Sequence, residues 1–476
     1  MTDQLQATAT PAAAPPAAPS GLPTVALTSL LFGSLLPMLS FFMINVSLPA
    51  IGADLRADAG ELQLVVGAYG IAVATLLVVG GRLGDAFGRR RLLLLGLAGF
   101  TVASVVCAIA PSVPVLLLAR VAQGAAAAAV TPQVLASITS LMTGEHRARG
   151  MAMFGVANGI SAALGQILGG VLVDANPFGL GWRSIFVVLA LGSLLALVAV
   201  AFSVPDSKAV QAHRVDFVGA ALLAATLVLL LLPLTEGRAL GWPLWTWISL
   251  AAVVPAIGLL AVHQRRAERS GHAPLIPPSV LQHRAMRIGL LMAVGFFTSF
   301  GGFMFTFALA TQAGAQMTAF EGGLSLLPLA IGFLITCIWG PALQRRYGVA
   351  MVVWGWIIEA AGFVLLAVAA LALWPDVTIL RLAAPMLVIG FGGGLVMVPL
   401  IGLVISQVPP AQAGLGSGIL LTSQQTCLAF GAATVGTVFL ALAGTTWNFG
   451  GALAATTLAL AAIALAMAPL TNQLRH

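Results

Sequence analysis

Charged side chains are scarce in this 476-residue sequence, at only 7% of all residues. Hydrophobic residues make up 60% of the chain, and the mean hydropathy is +1.05. This composition excludes a soluble globular protein, in which about 25% of residues are charged. Apolar stretches of roughly 20 residues, long enough to cross a bilayer, recur along the chain. The sequence therefore predicts an all-α membrane protein.

Potential metal ligands and catalytic groups are also few. Cys107, Cys337 and Cys427 lie in apolar spans without metal-ligand spacing, which is typical of small buried hydrophobes. The six histidines fall in loops, with no catalytic acid motif beside them, and no GxxxxGKS or GxxxxGKT loop is present to bind ATP. We expect no metal and no cofactor, and a membrane-embedded enzyme is a remote alternative.

The apolar stretches predict fourteen membrane spans. Their approximate ranges are 24–51, 62–81, 92–111, 114–142, 150–173, 183–204, 216–234, 243–262, 287–312, 320–342, 349–374, 379–405, 414–442 and 448–470. Lys and Arg test this count, because they concentrate in cytoplasmic loops. With the N-terminus inside, sixteen of the 21 basic residues are cytoplasmic, four are in outer loops, and Arg120 lies within a span. Both termini are thus predicted to be cytoplasmic. The net charge of +7 is explained by topology and not by nucleic-acid binding.

The apolar pattern also predicts the domain organisation. Its longest internal break, 263–286, holds a basic run followed by prolines. Residues 1–22 are rich in Ala, Pro and Thr and lack the apolar core of a signal peptide. We predict a disordered cytoplasmic tail at 1–22, an N-terminal six-helix bundle at 23–204, two additional spans at 205–262, a cytoplasmic linker at 263–286 and a C-terminal six-helix bundle at 287–476.

Two basic turns indicate an internal duplication. The turn at 80–91 and the weaker turn at 340–348 each follow an apolar span, and they lie 260 positions apart. A shift of that length matches Gly80 to Gly340 and Gly88 to Gly348. Duplicated membrane halves are typical of transporters that work by alternating access.

The first of these turns carries the most specific motif, formed by Gly81, Leu83, Asp85, Gly88, Arg89 and Arg90. With these residues the chain resembles the major facilitator superfamily, specifically its fourteen-span drug:proton antiporters. The glycines permit a tight turn, and the acid and bases can form a charge-paired conformational latch. In the family the acid faces a helix start in the other half, which here would be near Gly414. The alternative is a basic loop that only sets topology.

Two further stretches resemble the family. Arg120 in the fourth span matches an arginine associated with proton coupling, and the alternative for it is an anchoring arginine that reaches the interface. Glycines in the fifth span fit close helix packing, which is also the plain alternative to a role in bending. They are Gly155, Gly159, Gly165, Gly169 and Gly170. The family's proline in this span is replaced by Gln166.

A larger departure concerns the proton site. This chain has Ser40 where the family has an acidic residue in the first span, so the proton-binding residue must lie elsewhere. Glu359 is the one carboxylate deep within an apolar span, with Gly355 and Gly362 on its face. Burial favours the protonated form of a carboxyl, which suits a proton carrier near neutral pH. The alternative is a hydrogen-bonded structural glutamate.

Polar and aromatic side chains within the spans are candidates for substrate contact. We expect this role for Asn45, Gln123, Phe300, Gln424 and Gln425. Polar groups at membrane depth need partners, so helix–helix hydrogen bonding is an equal alternative. Phe300 belongs to an aromatic stripe at positions 296, 300, 303 and 307, and such stripes are more often packing or lipid-facing.

Together the patterns predict a major facilitator fold, with two six-helix bundles plus two extra spans between them in the sequence. The resemblance implies a monomeric, proton-coupled exporter of small apolar or amphipathic compounds in the cell membrane. Its partners would be substrate, protons and membrane lipids, and no nucleic acid. The lost acid at Ser40 leaves a facilitative or symporting carrier of a lipid or metabolite as the alternative.

Overall fold

The computed structural model describes residues 22–206, 216–237, 240–270, 274–275, 278–406, 413–444 and 448–473. The surroundings of the side chains at 401–419 and of several single positions, Gly159 and Cys337 among them, lie outside this description.

Regular structure in the described residues is helical. The α-helices are α1 Thr24–Leu55, α2 Ala59–Phe87, α3 Arg89–Ala108, α4 Val113–Leu141, α5 Gly144–Ala175, α6 Arg183–Ser203, α7 Phe217–Glu236, α8 Leu244–Arg269, α9 Pro278–Gln282, α10 Arg284–Leu309, α11 Ala319–Leu324, α12 Leu327–Tyr347, α13 Ala350–Leu373, α14 Ile379–Ser406, α15 Ala413–Ala443 and α16 Phe449–Asn472. A short 3-10 turn at Pro177–Gly179 precedes α6, and a π turn at Ala310–Gly314 extends α10.

The long helices follow the predicted spans. Thirteen segments among the described residues are long and apolar enough to cross a membrane, whereas α5 contributes only a shorter apolar stretch, Leu164–Ala175. The total of fourteen spans therefore stays a prediction. The predicted span 320–342 is not one helix, because the chain breaks after Leu324 and α12 begins at Leu327. Two glycines end the first piece and Pro328 fits the first turn of the second.

Helix packing repeats between the two halves. In the first half α1 packs on α5, α2 on α4, and α3 on α6. In the second half the corresponding pairs are α10 with α15, α12 with α14, and α13 with α16. The same pairings thus recur in the order of the chain, as a duplicated bundle requires. The domain boundaries named above stay predictions.

The extra pair α7 and α8 lies at the side of this assembly. Helix α7 packs against α2 of one half and α15 of the other, whereas α8 packs mainly on α7 and is largely exposed. Asp216 caps α7 by accepting a hydrogen bond from Gly219 N, at 2.8 Å, and His263 of α8 lies 2.8 Å from the same carboxylate oxygen. Burial alone would raise the pKa of Asp216, but these hydrogen bonds and one from Gln264 hold that pKa below its ordinary value.

The halves meet closely at the predicted outer side, between α5 and α11. A Cβ at Gly170 would overlap the carbonyl of Ala319, and a Cβ at Gly323 would lie 2.6 Å from the carbonyl oxygen of Gln166. Asp174 accepts a hydrogen bond from Phe320 N at 2.9 Å across the same contact. Glycine therefore allows backbone-to-backbone packing that closes this side.

Candidate functional site

A cavity lies between the two halves. Its walls come from α1, α4 and α5 on one side and from α10, α12, α14 and α15 on the other. The lining residues lie in the parts of α4, α5, α14 and α15 nearest their predicted cytoplasmic ends, on the other side of the membrane from the α5–α11 contact. The two halves therefore meet closely on the predicted outer side of the cavity.

The cavity wall is aromatic and uncharged. Six phenylalanines and three methionines line it, with Asn158 and Gln424 as its two polar side chains. The aromatic and sulfur-containing residues are Phe42, Phe154, Phe296, Phe297, Phe300, Phe333, Met38, Met151 and Met397. The rings of Phe296 and Phe300 are nearly parallel, with centroids 6.1 Å apart. Asn158 donates its Nδ2 to the Phe154 carbonyl at 2.9 Å, which leaves its side-chain oxygen as an acceptor.

Glu359 lies directly behind this wall. Its side chain is 3% exposed, and its Oε2 atom has no hydrogen-bond partner among the described residues. The missing side chain of Gly393 leaves a gap about the size of a methyl group beside it. A Cβ at Gly393 would lie 3.4 Å from Glu359 Oε1 and 3.5 Å from ring carbons of Phe296 and Phe333. Both of those rings line the cavity, so this gap joins the carboxyl to the back of the cavity wall.

More polar atoms without a partner lie on the same side of the cavity. Within the described part of the chain they are Trp356 Nε1 and Ser299 Oγ, both buried. Trp356 packs edge-on against Phe296, with ring centroids 6.1 Å apart. Unpaired polar atoms are costly in a dry interior, which favours water among them.

Arg120 is fully buried within the first half. Its Nη1 donates to Ser40 Oγ at 2.8 Å and to Gln123 Oε1 at 2.6 Å, and its Nε donates to the Val65 carbonyl at 3.1 Å. The guanidinium lies 4.2 Å from the ring centroid of Tyr69. Its Nη2 has no partner, and no ion pair to Arg120 occurs among the described residues.

These contacts join four helices. Ser40 belongs to α1, Val65 and Tyr69 to α2, and Gln123 donates to Ser104 Oγ of α3 at 2.8 Å. Ser40, at the position of the family's acid, is therefore a direct partner of Arg120. A hydroxyl accepts the guanidinium's hydrogen bond there but does not neutralise its charge.

The motif at 80–91 is not a turn over its whole length, because α2 continues to Phe87 and α3 begins at Arg89, so only Gly88 lies between the helices. Its contacts lie mainly within the first half. Asp85 pairs with Arg89 at 3.0 Å, and Arg89 also donates to the Ala136 carbonyl of α4. Arg90 donates to the Ala201 carbonyl of α6 at 2.5 Å, and Gly88 has a φ of +102° that favours glycine. Gly81 lies against Pro132 of α4. The expected contact of Asp85 with Gly414 lies outside the description, because the surroundings of the side chains at 401–419 are not described.

The other predicted site residues divide between the cavity and the helix contacts. Phe300 and Gln424 line the cavity. Asn45, Gln123 and Gln425 are buried away from it, and Gln425 Nε2 approaches Met38 Sδ of the other half at 3.7 Å.

The span-5 glycines differ in their surroundings. Gly165 and Gly169 pack against the backbone of α1, and Gly170 packs against α11. Packing at Gly155 was expected, but nothing lies within 4 Å of its Cβ position because it borders the cavity. Gly159 lies outside the description.

Sequence reasoning missed Asn158, Gly393 and the phenylalanines of the cavity other than those in the α10 stripe. Signals for two of them exist in the sequence. Asn158 is an amide in an apolar, glycine-rich span, and Gly393 belongs to a run of three glycines at 392–394. The direction in which each residue faces was not evident, because both faces of a membrane helix can be apolar.

Comparison with known proteins gives one family. The family model of the Major Facilitator Superfamily matches residues 30–455. The probable actinorhodin transporter of Streptomyces coelicolor is 34% identical over 91% of this chain and 75% of its own length. The puromycin resistance protein pur8 of Streptomyces alboniger is 33% identical over 87% of this chain and 81% of its own length.

Solved structures of the same fold are more distant in sequence. The crystal structure of a peptide transporter, POT, in complex with sulfate superposes with a TM-score of 0.67. That match covers 94% of this chain and 95% of the other at 17% identity. At this identity the match supports the fold alone.

Proposed function

Because this chain belongs to the Major Facilitator Superfamily, we propose that it exports small apolar or amphipathic compounds in exchange for protons. The chain is a multi-pass membrane protein, and we place it in the plasma membrane with both termini in the cytoplasm. The observation that carries the proposal is the apolar cavity between the halves, closed by α5 and α11 and backed by a buried carboxyl. Relatives named for antibiotic transport or resistance support the substrate class.

The described arrangement corresponds to the state that takes up substrate from the cytoplasm. Closure of the cytoplasmic side and separation of α5 from α11 would then expose the same cavity to the outside. The α2–α3 junction is proposed as the latch of the closed cytoplasmic side; its residues are Gly81, Asp85, Gly88, Arg89 and Arg90. Only a difference in affinity between the two states allows substrate and proton to drive this exchange.

Glu359 is proposed to carry the proton. Its carboxyl faces a gap behind Phe296 and Phe333, so substrate in the cavity and water at the carboxyl are separated by a single layer of rings. Arg120 is proposed to act on coupling through its contacts with α1, α2 and α3. A change in the position of α1 or α2 would alter the hydrogen bonds of this guanidinium, which no carboxylate of the described residues neutralises.

The test is substrate-dependent proton flux in proteoliposomes, after a growth-inhibition panel with and without a protonophore has identified a substrate. We expect Glu359→Gln to abolish the flux while substrate binding persists, because the amide has the size of the protonated carboxyl. Glu145→Gln, at an exposed carboxyl in the first turn of α5, is the matched control. Proton flux at the wild-type rate in Glu359→Gln would show that Glu359 is structural.

A further inference from the structure

The charge of the transported compound is constrained by what the cavity lacks. No lining side chain in the described part of the chain is charged. Arg120 is enclosed by α1–α4, and Glu359 lies behind Phe296 and Phe333. A charged ligand would lose its hydration here without gaining a counter-ion, which is strongly unfavourable.

A cation could in principle be held by aromatic faces instead. Trp and Tyr hold cations better than Phe does, and every ring on this wall is a phenylalanine. The buried Tyr69 ring already faces Arg120. Phenyl faces and edges with methionine sulfur favour flat, polarizable ring systems.

The two amides of the wall lie on different halves of the protein. Asn158 is on α5, with its side-chain oxygen available as an acceptor, and Gln424 is on α15. A ligand hydroxyl can donate to Asn158, and a hydroxyl or carbonyl can pair with Gln424. Hydrogen bonds to both amides would link the halves through the substrate.

We propose that the substrates are uncharged, planar aromatic compounds that carry a hydroxyl group, and that their exchange is electrogenic. The inference rests on the proposed proton exchange. Export of a neutral molecule against entry of one proton moves one positive charge inwards per cycle. Export of a monovalent cation against one proton moves none. The two substrate classes therefore differ in their response to the membrane potential.

The test uses three anthracenes of similar shape: hydroxymethylanthracene, methylanthracene and trimethylammoniomethyl-anthracene. Each is applied to proteoliposomes on a solid-supported membrane, and the transported charge and the internal pH are recorded together. We expect the hydroxymethyl compound to produce both proton flux and a current of the sign of proton movement. An imposed potential of 100 mV should shift its exchange equilibrium by about 50-fold at equal pH.

Variants of the two amides assign the hydroxyl contact. We expect wild-type protein to bind hydroxymethylanthracene about 5-fold more tightly than methylanthracene, as one net hydrogen bond gives. Asn158→Leu with Gln424→Leu should remove this preference, so that the variant binds the two compounds equally tightly. If the amides only support the structure, the double variant should bind both compounds more weakly by the same factor and keep the preference. That result would overturn the assignment of the hydroxyl contact to Asn158 and Gln424.

The outcomes separate the two levels of the proposal. Proton flux driven by the ammonium compound but by neither neutral compound, without current, would overturn the substrate class and leave proton exchange standing. Absence of proton flux with all three compounds and with the substrate from the growth panel would overturn the proposed function, and this inference with it.

Discussion

Gly393 offers the sharpest perturbation of the proton site. Replacement by alanine places a methyl group 3.4 Å from Glu359 Oε1 and 3.5 Å from the rings of Phe296 and Phe333. These are ordinary van der Waals distances, so the methyl group fits without displacing its neighbours. It fills the methyl-sized gap beside the carboxyl, along which we expect water to reach Glu359.

The expected effect of Gly393→Ala is on rate and not on stability. Alanine is favoured over glycine inside a helix by about 0.5–1 kcal/mol, so folding should not suffer. If the gap admits the water that exchanges protons with Glu359, substrate-driven proton flux should fall at least about tenfold, which corresponds to about 1.4 kcal/mol in the barrier. Substrate affinity should stay within about twofold, because the added methyl group lies behind the rings.

The assay compares proton flux with equilibrium substrate binding in the same proteoliposome preparation. Gly155→Ala is the matched control, since that glycine borders the same cavity with open space around its Cβ position. It should keep the wild-type flux. Wild-type flux in Gly393→Ala would refute the reasoning, because it would mean that protons reach Glu359 by another route or do not use it.

Four further predictions follow from described contacts. Arg120→Lys keeps the charge but loses the planar fork, so transport should fall at least about tenfold; normal uptake rates would favour an anchoring role. Asp85→Asn should impair transport while membrane insertion stays normal and stability changes by less than about 1 kcal/mol, because that ion pair is partly exposed. Asp174→Ala loses the hydrogen bond from Phe320 N, and spin-label distances between α5 and α11 should show the outward-open population raised about fivefold. Asp216→Ala should lower the free energy of unfolding by about 1 kcal/mol, because a helix cap is lost. The pKa of the Asp216 carboxyl is lowered on folding, so its contribution to stability should be present above about pH 4 and disappear on acidification below that pH.

The helices could be predicted from sequence because every apolar stretch that crosses the bilayer needs about 20 residues. Predicted and observed helices mostly agree to within several residues, and the differences lie at their polar ends. The break between α11 and α12 was missed because glycines such as Gly322 and Gly323 are common inside membrane helices. Their role depends on the close approach of α5, which joins residues about 150 positions apart and leaves no local pattern.

The site was predictable as a set of unusual residues but not as an arrangement. Arg120 and Glu359 stand out because charges are rare at membrane depth. That Ser40 is the partner of Arg120 could not be read from the chain, since the two residues are 80 positions apart. The same holds for the gap at Gly393, which exists only because α13, α14 and the rings of α10 and α12 meet there.

The positions of the two buried ionisable groups limit how a proton can be coupled to movement. Arg120 is held by the first half and Glu359 by the second, and no ion pair joins them among the described residues. Proton binding to Glu359 therefore breaks no salt bridge to Arg120, and loss of the proton forms none. Loss of the proton creates a negative charge behind the cavity wall of the second half, and this charge needs water or another polar partner at the carboxyl. Exchange requires that bound substrate and bound proton disfavour each other, so substrate in the cavity must favour the ionised form of Glu359.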